Sequence, residues 1–148
     1  MATNKTIRTI PQERTPIPEQ PPEARVKNFS EVALGYRLED ARREAERCLM
    51  CAEPTCISGC PVEVDIPEFI RRITAGDYRG AYEVITNENL LPAICGRVCP
   101  QEDQCEGVCK VAESLEPVAV GRLERWIGDL ALEQGWTNVP YIEQNGIK

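Results

Sequence analysis

An all-α fold carrying an extended N-terminal arm is what this sequence predicts, and three observations carry the prediction. Apolar residues recur at helical spacing in four separate stretches, no stretch shows a convincing strand-like alternation, and eight cysteines fall into two tight groups between those stretches. At 148 residues and 5% aromatic content, the chain suits one modest body with tails.

Taken in order, residues 9 to 22, TIPQERTPIPEQPP, hold five prolines among polar residues, which favours an extended or polyproline-like arm over a helix. From Leu38 to Arg47, LEDARREAER puts Leu38, Ala41 and Ala45 on one face, so a helix delivers Cys48 at its end. Asp65 is a suitable cap for IPEFIRRITA, with Pro67 tolerated in the first turn, Ile66, Phe69, Ile70 and Ile73 facing inward, and Gly76 as the stop. A further helix starts at Asp77 and buries Ala81, Tyr82 and Ile85. The stretch LLPAICGRVCPQEDQCEGVC reads as loop, broken by Pro92, Gly96, Pro100 and Gly107. Finally Val120, Leu123, Ile127, Leu130 and Ala131 form a helical stripe ending at Gly135. The expected organisation is an arm over residues 1–29, a helical body over 30–135 and a linker over 136–148.

Composition narrows the chemistry. A net charge of -7 argues against a nucleic-acid backbone as partner. No apolar run reaches a membrane-spanning length and the polar start has no signal core, so a soluble, cytoplasmic chain is expected. Four disulfides would need an oxidising compartment, which makes metal binding the better reading of the eight cysteines. Histidine is absent, which removes Cys/His zinc fingers, Rieske centres, histidine-ligated haem and any histidine base. No catalytic triad or carboxylate dyad is called for.

The first group, CLMCAEPTCISGCP, has the spacing C-x2-C-x4-C-x3-C-P and joins Cys48, Cys51, Cys56 and Cys60. It is close to the bacterial ferredoxin run C-x2-C-x2-C-x3-C-P, whose short turns converge three thiolates on one cluster while the fourth cysteine serves another. Pro61 turns the chain just past Cys60. The second group, Cys95, Cys99, Cys105 and Cys109, supplies the remaining thiols. Zinc is the chemical competitor, but structural zinc sites usually present paired C-x2-C knuckles, and Cys48 with Cys51 is the single such pair here. For a fourth ligand at the second site, spacing leaves both Cys95 and Glu124 open; taken alone, Cys95 looks the natural one and Glu124 a solvated helix charge.

CLMCAEPTCISGCPVEVDIPEFI, CGRVCPQEDQCEGVC and PVAVGRLERW together resemble the N-terminal iron-sulfur domain of the glutamate synthase small-subunit family. That family includes the large subunit of NADH-dependent reduced ferredoxin:NADP oxidoreductase, and domain II of dihydropyrimidine dehydrogenase is related. The resemblance implies a small helical domain of the alpha-helical ferredoxin-like kind with two 4Fe-4S clusters. It implies that Cys48, Cys51, Cys56 and Cys109 hold one cluster, and that Cys60, Cys99, Cys105 and Glu124 hold the other, leaving Cys95 over. It further implies an electron-transfer module that is not catalytic by itself, serving an NAD(P)H-dependent flavin oxidoreductase. FAD and NAD(P)H would belong to a partner domain or subunit, and a second redox protein or subunit would complete the chain of transfer. No G-x-G-x-x-G or P-loop occurs in the sequence as given, so neither flavin nor nucleotide is assigned to it. The competing reading is a metal-stapled helical docking module without redox turnover.

Overall fold

The computed structural model describes residues 10–138 and Gly146, so residues 1–9 of the arm and most of the expected linker lie outside the described residues. Within them the fold is all-α: helices α1 (Pro22–Arg25), α2 (Leu38–Ala45), α3 (Thr55–Ser58), α4 (Ile66–Ala75), α5 (Tyr78–Thr86), α6 (Pro92–Val98) and α7 (Val120–Gln134), with two short 3-10 turns between α6 and α7. An isolated antiparallel bridge between Glu19 and Ala33 is the extended pairing described.

The caps follow local chemistry. Asp65 accepts a hydrogen bond from the Glu68 N–H at 3.2 Å, and Asp77 accepts from the Gly80 N–H at 2.9 Å, so each aspartate satisfies an orphan donor of α4 or α5. Gly76 and Gly135 take the left-handed conformation that ends α4 and α7. Between the helices lies one core: Ala41 and Ala45 of α2, Ile66, Phe69, Ile70 and Ile73 of α4, Ala81 and Ile85 of α5, and Leu123 and Ile127 of α7. Removing water from this much aliphatic surface is the main driving force for the fold.

Four expectations need correction. Leu38 leaves the core face and is 41% exposed, because it is the first residue of α2, where the chain is still entering the helix. Tyr82 and Leu130 are half-buried at the edge of the core rather than within it. The arm contains one helical turn, α1, which Pro22 starts because a first-turn residue needs no N–H donor. The stretch read as loop contains α6. There Pro92 opens the helix, and Gly96, taken as a breaker, is the point of closest approach to α7. A Cβ on Gly96 would stand 2.5 Å from the Arg125 nitrogen and 2.6 Å from the Gly121 carbonyl oxygen, and one on Gly128 would stand 2.3 Å from the Ala93 nitrogen. Glycine therefore permits the α6–α7 contact that brings Cys95 and Cys99 beside Glu124.

The described arm lies on the body. Glu44 and Arg47 are both fully buried and form an ion pair at 2.8 Å. The Thr15 N–H donates to Glu44 at 2.7 Å and the Ala119 N–H donates to it at 2.8 Å. Arg47 in turn donates to the carbonyls of Pro11, Glu116 and Pro117. Every charge of this pair is met, which is the condition for burying it. The result ties the arm, the end of α2 and the start of α7 together within a few residues of Cys48.

Candidate iron-sulfur site

None of the eight cysteines is in a disulfide. The end of α2 delivers Cys48, whose N–H donates to the Ala45 carbonyl at 3.2 Å. Met50 then adopts φ 51°, a left-handed conformation rare outside glycine, and the chain doubles back to Cys51. Such a conformation costs on the order of 1–3 kcal/mol and persists only where its surroundings hold it. Cys56 sits on α3. Cys109 arrives from the far end of the second group, and its loop is fastened to α3 where the Thr55 hydroxyl donates to the Val108 carbonyl at 2.6 Å. Cys48, Cys51, Cys56 and Cys109 line one cavity, which Ile66 and Ile70 of α4 and Val118 and Val120 at the start of α7 help to wall; Lys110 is the charged residue in its lining. Burial pushes the Cys56 thiol up to about 12, and the neighbouring Cys48, Cys109 and Cys51 push in the same direction.

Cys60, four residues after Cys56, is outside the lining of that cavity. Gly59 beside it has no room for a side chain: a Cβ there would stand 2.6 Å from Val108 and 3.0 Å from the Gln104 carbonyl, so glycine lets the chain pass close to Cys105. Cys99 caps α6, with its N–H donating to the Cys95 carbonyl at 3.0 Å. Its thiol is raised to about 11, first by burial and then by the charges of Cys95, Glu124 and Cys60. Cys105 is buried and raised to about 12, by burial first and then by Glu106, Cys60 and Glu124. Cys99 and Cys105 therefore both lie within reach of the charges of Cys60 and Glu124, and Cys99 also of that of Cys95.

Glu124 is not the solvated helix charge that its residue type suggests. Burial raises its carboxyl to about 7, an effect partly offset by Asn89, whose Nδ2 donates to Glu124 Oε1 at 2.6 Å. Among the described residues, no three His, Cys, Asp or Glu side chains close on a single metal ion. Cys48, Cys51, Cys56 and Cys109 ring a cavity, and Cys60, Cys95, Cys99 and Cys105 offer thiols together with the carboxylate of Glu124. Soft sulfur donors in the apolar cavity fit an iron-sulfur cluster, and Cys60, Cys95, Cys99, Cys105 and Glu124 make five further candidate donors.

Residues 25–136 match the family described as dihydropyrimidine dehydrogenase domain II, 4Fe-4S cluster. The chain belongs to that family. Over 115 residues it is 44% identical to the putative oxidoreductase AegA of Escherichia coli K12, covering 77% of this chain and 18% of the relative. It is 36% identical over 140 residues to the glutamate synthase [NADPH] small chain of the same organism, covering 94% of this chain and 30% of the relative. To the NAD-dependent dihydropyrimidine dehydrogenase subunit PreT of E. coli K12 it is 40% identical over 95 residues, covering 64% and 23%. The chain thus spans less than a third of each of these longer relatives. It is a 4Fe-4S domain of the kind found in glutamate synthase-like oxidoreductases. No helix among the described residues is long and apolar enough to cross a membrane.

Reading the sequence of this 4Fe-4S domain missed three contributors to the site. Met50 gave no signal, since its left-handed turn is imposed by the fold. Thr55 signals a helix start but not its reach to Val108. Asn89 follows α5 in a stretch rich in turn residues, NENLLP, and nothing local shows that it meets Glu124.

Proposed function

We propose that this chain is an electron-transfer module that holds two 4Fe-4S clusters and relays single electrons between a flavin and NAD(P)H oxidoreductase domain or subunit and a second redox protein or subunit. In this reading Cys48, Cys51, Cys56 and Cys109 hold one cluster, Cys60, Cys99, Cys105 and Glu124 hold the other, and Cys95 stands beside the second without ligating it. The observation that carries the reading is the division of the thiols. Cys48, Cys51 and Cys56 share a cavity with Cys109, whereas Cys60, four residues after Cys56, stands within the charge environment of Cys99 and Cys105.

When bound, the clusters supply one-electron storage and transfer. The chain's own residues do the rest: the thiols ligate, α4 and the start of α7 exclude water from the first site, and the α6–α7 contact sets the donors of the second. Interleaving the ligands of the two sites along the chain keeps the sites adjacent, which serves a relay.

Anaerobically purified protein should show the visible absorption of iron-sulfur clusters, bleach with dithionite and recover on mild reoxidation. Metal-loaded protein that is folded yet does not bleach reversibly would leave a metal-stapled docking module and end the relay reading.

A further inference from the structure

Asn89 touches both candidates for the last position at the second site. Its Nδ2 donates to Glu124 Oε1 at 2.6 Å, and its Oδ1 accepts from the Cys95 thiol at 3.5 Å. Which end faces which partner is not free to change. The Leu91 N–H donates to Asn89 Oδ1 at 3.0 Å, and only the carbonyl oxygen of an amide can accept from an N–H. Asn89 is itself anchored to the end of α5, where its N–H donates to the Ile85 carbonyl at 2.9 Å. The backbone around α5 and α6 therefore fixes the amide with its donor toward the carboxylate and its acceptor toward the sulfur.

That polarity favours one ligand over the other. A carboxylate gains a charge-assisted hydrogen bond from Nδ2 and keeps its second oxygen for a metal. A sulfur bound to iron has no hydrogen to give, so its lone pairs would oppose those of Oδ1. Relieving that contact by turning the amide would break the Leu91 hydrogen bond and set an oxygen against Glu124. We infer that Asn89 is a positioning residue that selects the carboxylate of Glu124 over the thiol of Cys95 as the fourth ligand of the second site. The inference rests on the ligand sets proposed above.

The test uses the full chain, assembled anaerobically, with iron and sulfide content and the EPR spectrum of the reduced protein as readouts. Cys95→Ala and Glu124→Ala in the otherwise native chain examine the ligand reading itself. Cys95→Ala should keep all the iron, and Glu124→Ala should lose or spectrally alter the second cluster. The reverse pattern overturns the ligand reading, and the selection with it.

Asn89→Asp examines selection separately. It keeps the acceptor for Leu91 but sets a carboxylate against Glu124, and the second cluster should pass to Cys95. The expected result is native iron content with a changed EPR signal, and about half the iron once Cys95→Ala is added. Asn89→Ala, which removes both ends of the amide without adding charge, should give a mixture of the two signals. A native signal in Asn89→Asp and Asn89→Ala, with native iron in the Asn89→Asp, Cys95→Ala protein, overturns selection while leaving the ligand reading intact. Loss of the second cluster from either single Asn89 variant with Cys95 present also overturns it, because Asn89 would then be required for assembly and not for choice.

Discussion

The two ligand sets proposed for this chain lie in regions built on opposite principles. Cys48, Cys51, Cys56 and Cys109 line a cavity walled mainly by aliphatic residues, and no carboxylate belongs to that lining. The region of Cys60, Cys99 and Cys105 is polar: Glu124, Asn89 and the thiol of Cys95 meet there through hydrogen bonds. Beside it, Glu106 pairs with Arg14 of the arm and accepts from the Gly121 N–H at 3.0 Å. A cavity of four thiols leaves the choice of ligand to composition. A region with a surplus donor leaves it to orientation, so hydrogen bonds that touch no metal become decisive. The first site should accordingly respond to loss of a thiol or of packing, and the second to shifts of α6 against α7.

The largest expected effect removes one site and spares the other. Cys109→Ala should lose about half of the iron and sulfide of the native chain, because no fifth cysteine and no carboxylate lines the first cavity, while the EPR signal of the remaining cluster stays native. Equal loss from both sites in folded protein would break the distinction drawn here.

Next comes Glu44→Ala, which acts on the frame common to both sites. It strands the buried Arg47 and frees the N–H groups of Thr15 and Ala119. Stability should fall by about 3–5 kcal/mol in denaturant unfolding, the range for breaking a buried pair from one side. A change under about 1 kcal/mol would mean that the pair does not anchor the arm and α7.

Gly96→Ala sharpens the comparison from the second side. The added methyl would meet the backbone of α7, so α6 must move; about 1–3 kcal/mol of stability should go with it. Iron analysis with EPR should find the second cluster altered and the first unchanged, and the opposite order would contradict the assignment of α6 to the second site.

The smallest effect lies on the outer face of α4, whose inner face walls the first cavity. Hydrogen bonds from Arg71 and then Arg72 hold the Glu68 carboxyl at about 2, against an ordinary 4.5. The unfolded chain takes up this proton first as pH falls, so the contribution is complete above about 4.5 and is lost on acidification toward 2. At so exposed a position its size is roughly 0.2–1 kcal/mol. Glu68→Gln should lower stability slightly at neutral pH, and the difference from the native chain should vanish near pH 2. A difference that grew on acidification would reverse the sign argued here.

Much of this was legible in the sequence because it depends on neighbours in the chain. Asp65 and Asp77 cap α4 and α5, Gly76 and Gly135 end α4 and α7, and the apolar period of Ile66, Phe69, Ile70 and Ile73 describes a buried face. The grouping of Cys48, Cys51 and Cys56 follows from spacing too. What spacing does not carry is approach between distant segments. Pro92 and Gly96 read as breakers because local rules give their conformational preferences, whereas their use here is a helix start and a contact with α7. Glu124 reads as solvated because nothing in GRLERW shows that Asn89 stands 2.6 Å away. Met50 adopts φ 51°, a conformation that its residue preference does not encode.

The central claim is that the chain holds two separate 4Fe-4S clusters, and the count of iron and acid-labile sulfide in anaerobically purified native protein tests it most directly. The account predicts about eight of each per chain. About four of each, or metal without sulfide, would contradict it.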